Sequence, residues 1–314
     1  MPTIFGRLMP AALVVLALAA SVSCQVTGNE AVAAEESGTL SRAWATSPAG
    51  PDPRPASPSA TPAATPSQDD ADEAYEAVRK ALDALPGSSG SYSIAVKDVE
   101  APDSVVHGAT AEEFDTASIV KVDILLALLL RAQDNGTSLT TEQRQLATAM
   151  IRTSDNDAAD ALWMTIGGAQ GLDAANERLG LTATTAGGSG HWGLTQTTAA
   201  DQLALLDAVF SEESPLTSRS RDYVESLMSD VVPEQRWGIS AAAGSGSTVA
   251  LKNGWLPRTA TGLWDVNSIG RVEYAGRTLL VAVLSDGQPS QGAGIDLVEQ
   301  VATVAVEALV EASV

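Results

Sequence analysis

The stretch Phe114-Asp-Thr-Ala-Ser118-Ile-Val-Lys121-Val-Asp-Ile-Leu-Leu-Ala-Leu-Leu-Leu130 decides how the rest of the chain reads. It is an S-x-x-K motif running into an apolar segment. If that segment is a helix, Ser118 sits in its first turn and Lys121, three residues on, shares its face. A serine hydroxyl near neutral pH is a poor nucleophile without an adjacent base. Lysine fills that role when burial and neighbouring charge lower its pKa. A helix N-terminus also favours developing negative charge. Four residues can therefore supply nucleophile, base and field.

Two further short motifs come later in the chain. Ser154-Asp155-Asn156 stands just after an apolar-patterned segment ending in Met150-Ile151, and Lys252-Asn253-Gly254 at the end of an apolar strand, Val249-Ala-Leu. Each alone arises by chance in chains of this length. The chain, however, holds only four lysines, Lys80, Lys97, Lys121 and Lys252, and two of them fall in these motifs.

Around the motifs the hydrophobic pattern predicts a helix from Asp69 to about Leu85, stopped by Pro86-Gly87. A strand comes next, from Ser91 to Val99. The Ser118 helix should end near Asn135-Gly136. Helical segments dominate from Thr141 to about Met228, interrupted by the loop Gly187-Gly-Ser-Gly-His-Trp-Gly193. Strand patterns return at Thr248 to Leu251, Val266 to Tyr274 and Thr278 to Leu284, the last two joined by an Ala275-Gly276 hairpin turn. A final helix runs from about Gly294 to Ala312. The expected fold class is α+β: one antiparallel sheet flanked by terminal helices, plus an all-α lobe. No internal repeat is visible.

The N-terminal part reads differently. Arg7 followed by the apolar run Leu8 to Ala20 predicts a secretory signal over residues 1–23, too short for a comfortable membrane span. Cys24 is the only cysteine, so no internal disulfide is expected. It falls where such a signal would be cut and resembles a lipobox cysteine, with Ser23 before it and Ser21 where leucine is preferred. Between Pro48 and Pro66 lie seven of the 15 prolines, mixed with Ala, Ser and Thr. Residues 24–68 therefore read as an extended tether, and 69–314 as the folded domain. The expected protein is exported, a membrane-anchored lipoprotein facing the extracellular or cell-wall side, touching the membrane only through that anchor.

The formal net charge of −21, with 18 Lys+Arg against 39 Asp+Glu, argues against a nucleic-acid partner. Two histidines far apart make a zinc site improbable, and no cofactor is expected. No G-x-S-x-G elbow is present. His107, in an expected hairpin turn, is a weak candidate base.

The ordered set of motifs resembles the penicillin-recognising serine hydrolases, most closely the class A β-lactamase group, with its S-x-x-K, S-D-N and K-T-G signature. Phe114 stands four residues before the serine, Ser154-Asp-Asn-Asp-Ala-Ala-Asp-Ala-Leu162 is similar to the family's S-D-N-x-A-A-N-x-L run, Thr197 to Leu203 resembles the helix after its omega loop, and Asn267-Ser-Ile-Gly to Val281 its terminal hairpin. The resemblance covers most of residues 70–312. It implies that Ser118 is the acylated nucleophile, that Lys121 takes its proton, and that Ser154 relays a proton to the leaving nitrogen. By the same token Lys252 would hold a carboxylate, Asn156 a substrate amide, and the backbone N–H groups of Ser118 and Trp255 the oxyanion.

The resemblance breaks at two places. The family's omega loop carries a glutamate that activates water, whereas residues 178–200 contain no Asp or Glu; Glu177 and Asp201 bracket the gap and the expected position falls near Thr182–Thr184. Asn253 replaces the usual Thr or Ser of the third motif, although its amide could donate to a substrate carboxylate, next to Gly254. The gap between the first two motifs is also short. The expectation is acylation by a β-lactam or cell-wall-peptide-like amide without fast release. His191 is a candidate substitute base, since histidine titrates near neutral pH. The alternatives are a true β-lactamase with a non-standard water-activating group and a non-catalytic lipoprotein binding cell-wall peptide or a protein partner.

Overall fold

A computed structural model describes residues 68–312, apart from Ser88, Pro102 and Asp103. The expected signal, Cys24 and nearly all of the tether lie outside the described residues. Among the described residues eight α-helices and seven strands occur in the order α1 (Gln68–Asp83), β1 (Tyr92–Asp98), β2 (Val105–Gly108), β3 (Phe114–Asp115), α2 (Val120–Asp134), α3 (Thr141–Arg152), α4 (Asn156–Ile166), α5 (Gly168–Leu179), β4 (Gln196–Thr197), α6 (Ala199–Phe210), α7 (Ser218–Ser229), β5 (Val249–Pro257), β6 (Trp264–Tyr274), β7 (Arg277–Ser285) and α8 (Gln291–Ala312). Among the described residues no helix is long and apolar enough to cross a membrane.

Five strands form one antiparallel sheet in the order β2-β1-β7-β6-β5, and β3 pairs with β4 as a separate short ribbon. Alternation along each strand sends neighbouring residues to opposite faces. Ala95, Ala250, Ile269, Leu280, Ala282 and Leu284 pack with the helices α2 to α7. Ile94, Val96, Leu251, Val266, Val281 and Val283 pack instead under α1 and α8. The sheet thus separates two apolar cores, which explains its nearly continuous apolar strands. This is the α+β arrangement expected.

Helix α2 lies inside the helical part: Val120 through Leu130 are all buried. A helix apolar on every side must be enclosed, and α3, α4, α5 and α7 enclose it. Capping residues start the surrounding helices. The Thr140 hydroxyl and Gln143 amide form a reciprocal box at α3, and the Asp155 carboxylate accepts from Ala158 N at 2.7 Å at α4. The β6–β7 turn has Ala275 at φ 49° and Gly276 at φ 81°, as a two-residue hairpin turn of this twist requires.

Three local expectations are corrected. Strand β5 does not stop at Leu251 but continues to Pro257, so Lys252 is mid-strand; pairing with β6 from Val249↔Val272 to Pro257↔Trp264 carries it on past the apolar run. His107 is not in a hairpin turn. It lies in β2, opposite Ile94, because a four-residue strand was hidden in Val105-Val-His-Gly. Ser118 belongs to a 3-10 turn, Ala117–Ile119, that leads directly into α2.

Candidate active site

The site forms where β5, the edge strand of the sheet, meets the turn before α2. Phe114, four residues before Ser118, is buried in the core on the helical side of the sheet. Thr116 N donates to Thr195 O at 2.9 Å, and Asn267 Nδ2 donates to Asp115 O and Thr116 O at 2.9 and 3.0 Å. Asn267 is fully buried, and its Oδ1 in turn accepts from Ser285 N. Ala117 is held at φ 48°, a conformation rare for a residue with a side chain. Tied on both sides, the backbone turns sharply and leaves Ser118 part-exposed beside β5. Gly254 makes that approach possible. A Cβ there would lie 2.7 Å from Ser118 N and 2.8 Å from Thr116 O. Trp255 is the next residue on the same edge strand.

Both motif lysines converge on Ser154. Lys121 Nζ donates to Ser154 Oγ at 3.1 Å, Ser154 O at 2.7 Å and Asn156 Oδ1 at 2.7 Å. Lys252 Nζ donates to the same Ser154 Oγ at 3.0 Å and to Asn253 O at 2.8 Å. Ser154 sits at φ 57° between α3 and α4, and the rare conformation turns both its carbonyl and its hydroxyl toward Lys121. Asp155, not Asn156, caps α4; Asn156 opens the helix, exposed, with no hydrogen bond on its amide N–H₂ among the described residues. None of the hydrogen bonds among the described residues reaches Ser118 Oγ, since the three Lys121 donors all go to Ser154 and Asn156.

Burial makes these lysines unusual. Lys121 is wholly buried, and desolvation lowers its pKa to about 8 against the opposing pull of Asp155 and Asp160. Lys252 is held well below the usual lysine range, first by burial and then by the charge of Lys121. No carboxylate forms an ion pair with either lysine among the described residues. Two buried lysines thus share one serine hydroxyl in an otherwise acidic chain.

Asn253 is placed differently from its neighbours. Its Nδ2 donates to Gln235 O at 2.7 Å and Trp237 O at 3.0 Å, so both amide protons tie the 235–237 segment to β5. Its Oδ1 is buried without a partner. Strand alternation explains this: Asn253 and Trp255 face the α8 side with Leu251, whereas Lys252 faces Ser154. The Trp237 and Trp255 rings pack at 5.9 Å and 58° beside it.

The loop between α5 and α6 holds no carboxylate over the site. Thr184, within the stretch where one was expected, is buried, and its hydroxyl lies 2.6 Å from Asp201 Oδ2 and 2.8 Å from Thr197 Oγ1. His191 is exposed, with Nδ1 3.3 Å from Gly188 O of its own loop, and no hydrogen bond or ion pair joins it to Ser118, Lys121 or Ser154. His107, on β2, is at the sheet edge opposite β5 and pairs with Asp83 at 3.4 Å. The loop residue that does reach the site is Trp192, whose ring centre lies 4.8 Å from Lys121 Nζ. Neither Trp192 nor Asn267 was singled out from the sequence. Their signal is a contact between distant segments, and no local pattern marks it.

A five-stranded antiparallel sheet with α1 and α8 on one face, a helical body on the other and an S-x-x-K turn between them is the class A β-lactamase/DD-peptidase fold. The beta-lactamase enzyme family profile matches residues 138–309, more than half of the chain, and the chain belongs to that family. It is 28% identical over 185 residues to the "Putative lipoprotein LppW" of Mycobacterium tuberculosis and of Mycobacterium bovis, covering 57% of this chain and 58% of theirs. The chain thus spans less than two thirds of the length of these curated relatives. Among solved structures it is similar to the TLA-1 extended-spectrum β-lactamase (TM-score 0.67, 16% identity, 76% of this chain and 99% of that one). It is also similar to a class A β-lactamase from Bacteroides cellulosilyticus (0.65, 16%, 75% and 98%) and to PBP-A (0.64, 20%, 75% and 96%). At these identities the likeness is one of fold.

Proposed function

We propose that this chain is a serine hydrolase acylated at Ser118 by a β-lactam or a cell-wall-peptide-like amide, with slow release of the acyl group. The observation that carries the reading is the convergence of Lys121 and Lys252 on Ser154 Oγ, at 3.1 and 3.0 Å, beside the turn that presents Ser118. In this reading Ser118 Oγ attacks the amide carbonyl and its proton passes to neutral Lys121. The N–H groups of Ser118 and Trp255 stabilise the oxyanion. Ser154 hands a proton to the leaving nitrogen as the C–N bond breaks, leaving an ester on Ser118. Lys252 attracts a substrate carboxylate, and the unbonded Asn156 N–H₂ meets a substrate carbonyl. Catalytic hydrogen bonds commonly tighten only with substrate in place, which accommodates the absence of a Ser118–Lys121 bond. Because Asn253 uses both amide protons on backbone, carboxylate recognition falls to Lys252.

The test is incubation with a fluorescent penicillin and then intact-mass measurement. A stable adduct in the wild type, absent from Ser118→Ala, is expected. No adduct on Ser118 overturns the reading, and rapid release of hydrolysed drug replaces slow release with true β-lactamase turnover. A second reading, a non-catalytic binder, is favoured by the unbonded Ser118 Oγ and the carboxylate-free loop; it predicts equal ligand binding and no label in both proteins.

We also propose that the chain is an exported lipoprotein anchored through Cys24, on the strength of its signal-like N-terminus and of relatives named as lipoproteins. Cys24→Ala should move the protein from the membrane fraction to the soluble fraction.

A further inference from the structure

The loop above the site brings an aromatic ring to Lys121 in place of a base. Lys121 is fully buried, and its three donors face Ser154 and Asn156. The ring of Trp192 lies 4.8 Å from the same nitrogen. That ring is held at its N–H, and its loop lies against the Ser118 turn. Its Nε1–H donates to Asp160 Oδ1 on α4 at 2.7 Å. The next residue, Gly193, sits against the nucleophile turn, where an added Cβ would lie 3.8 Å from Ala117 Cα. The Thr184 hydroxyl is engaged by Asp201 and Thr197, and His191 is bonded within its own loop. Hydrolysis of a Ser118 ester requires water to add to the carbonyl and lose a proton to a base; the carbonyl–Oγ bond then breaks and Ser118 Oγ takes up a proton. An indole ring offers donation only at its N–H and no basic lone pair. Its face holds a cation while excluding water.

We propose that Trp192 is a positioning residue that holds the Lys121 ammonium against Ser154 and Asn156 and keeps water from the Ser118 ester, so that this loop prolongs the acyl-enzyme. The inference rests on the proposed acylation of Ser118. It assigns the loop a shielding role, opposite to that of a loop that delivers an activated water.

The full chain and its Trp192→Ala, Trp192→Phe, Asp160→Ala and Asp160→Asn variants are labelled with fluorescent penicillin, desalted, and tracked by intact mass. Thermal unfolding checks that each is folded. Trp192→Ala should lose the adduct about tenfold faster than the wild type, whereas Trp192→Phe, which keeps an aromatic face, stays within about threefold. Asp160→Ala, which frees the indole from its exposed side, should lose the adduct faster than Asp160→Asn, which removes the same charge near Lys121 but keeps an oxygen for the indole. This rescue by phenylalanine separates a shield from a merely structural tryptophan, which would lower stability without ordering the lifetimes this way. An unchanged lifetime in folded Trp192→Ala overturns the inference, as does a Trp192→Phe adduct as short-lived as the alanine variant's. Should Trp192→Ala not fold, equal lifetimes in Asp160→Ala and Asp160→Asn overturn it. No adduct in the wild type overturns the acylation reading and this inference with it.

Discussion

In the proposed mechanism Lys121 carries the chemistry of the site in one proton. Its three hydrogen bonds are those of an ammonium, and burial brings its pKa to about 8. Only the neutral amine can take the Ser118 proton. The acylation rate should therefore rise about tenfold per pH unit below 8 and level off above it, as stopped-flow labelling between pH 5.5 and 9.5 would show. Gly254 is the second decisive residue. In Gly254→Ala the new Cβ meets Ser118 N, Thr116 O and Ile119 N at 2.7 to 2.9 Å, all backbone atoms that cannot swing aside. Labelling should fall by about a hundredfold, with a stability loss of roughly 1–3 kcal/mol by denaturant titration. The positions of Lys121, Ser154 and Lys252, which the structure brings together, were legible because each belongs to a short motif. The engagement of Asn253 with Gln235 and Trp237 was not, because it depends on which face of β5 meets the 235–237 segment.

Helix α2 was legible as a helix from its apolar run, yet it contains a charge that the run conceals. Asp123 is fully buried, neither carboxyl oxygen has a hydrogen bond, and the Oε1 of Gln202 on α6 is equally unpartnered. Burial raises the Asp123 pKa to about 8, against the influence of Gln202 and with that of Asp201. A protonated carboxyl carries no charge to desolvate, whereas an ionised one is a buried charge with neither oxygen hydrogen-bonded. The folded pKa lies above the unfolded one, so the stabilisation is fully present below pH 4. It is lost as pH rises toward 8, by up to about 1.4 kcal/mol per unit. Asp123→Asn, which keeps the shape and supplies a donor, should raise stability by roughly 2–4 kcal/mol at pH 7 and change it little at pH 4, measured by thermal or urea unfolding. The short strands β2, β3 and β4 and the second half of β5 escaped the sequence for plain reasons. The four residues of β2 are too few to show a period, and the second half of β5 carries Lys, Asn and Gly, which do not read as strand until paired with β6.

The folded unit is built around a sheet with a core on each face, and α1 packs against α8, so the two ends of this unit are tied together. A chain beginning at Pro66 should keep the unfolding temperature of the full chain within about 2 °C and label with penicillin at the same rate. A loss of several degrees would place part of the folded unit upstream of Pro66. The antiparallel α+β layout was legible from the order of elements alone, since strands at both ends of the domain with helices between them have few ways to bury their apolar faces.

From residue order alone came the S-x-x-K segment, the two motif lysines, the helical body and the missing loop carboxylate, because each is written in local spacing or composition. Packing settled the rest: that both lysines meet at one hydroxyl, that Asn253 turns away to hold backbone, that His191 stays in its own loop, and that Trp192 covers Lys121. Those outcomes depend on which faces meet when segments many residues apart close on one another, and a burial-driven pKa exists only once they have closed.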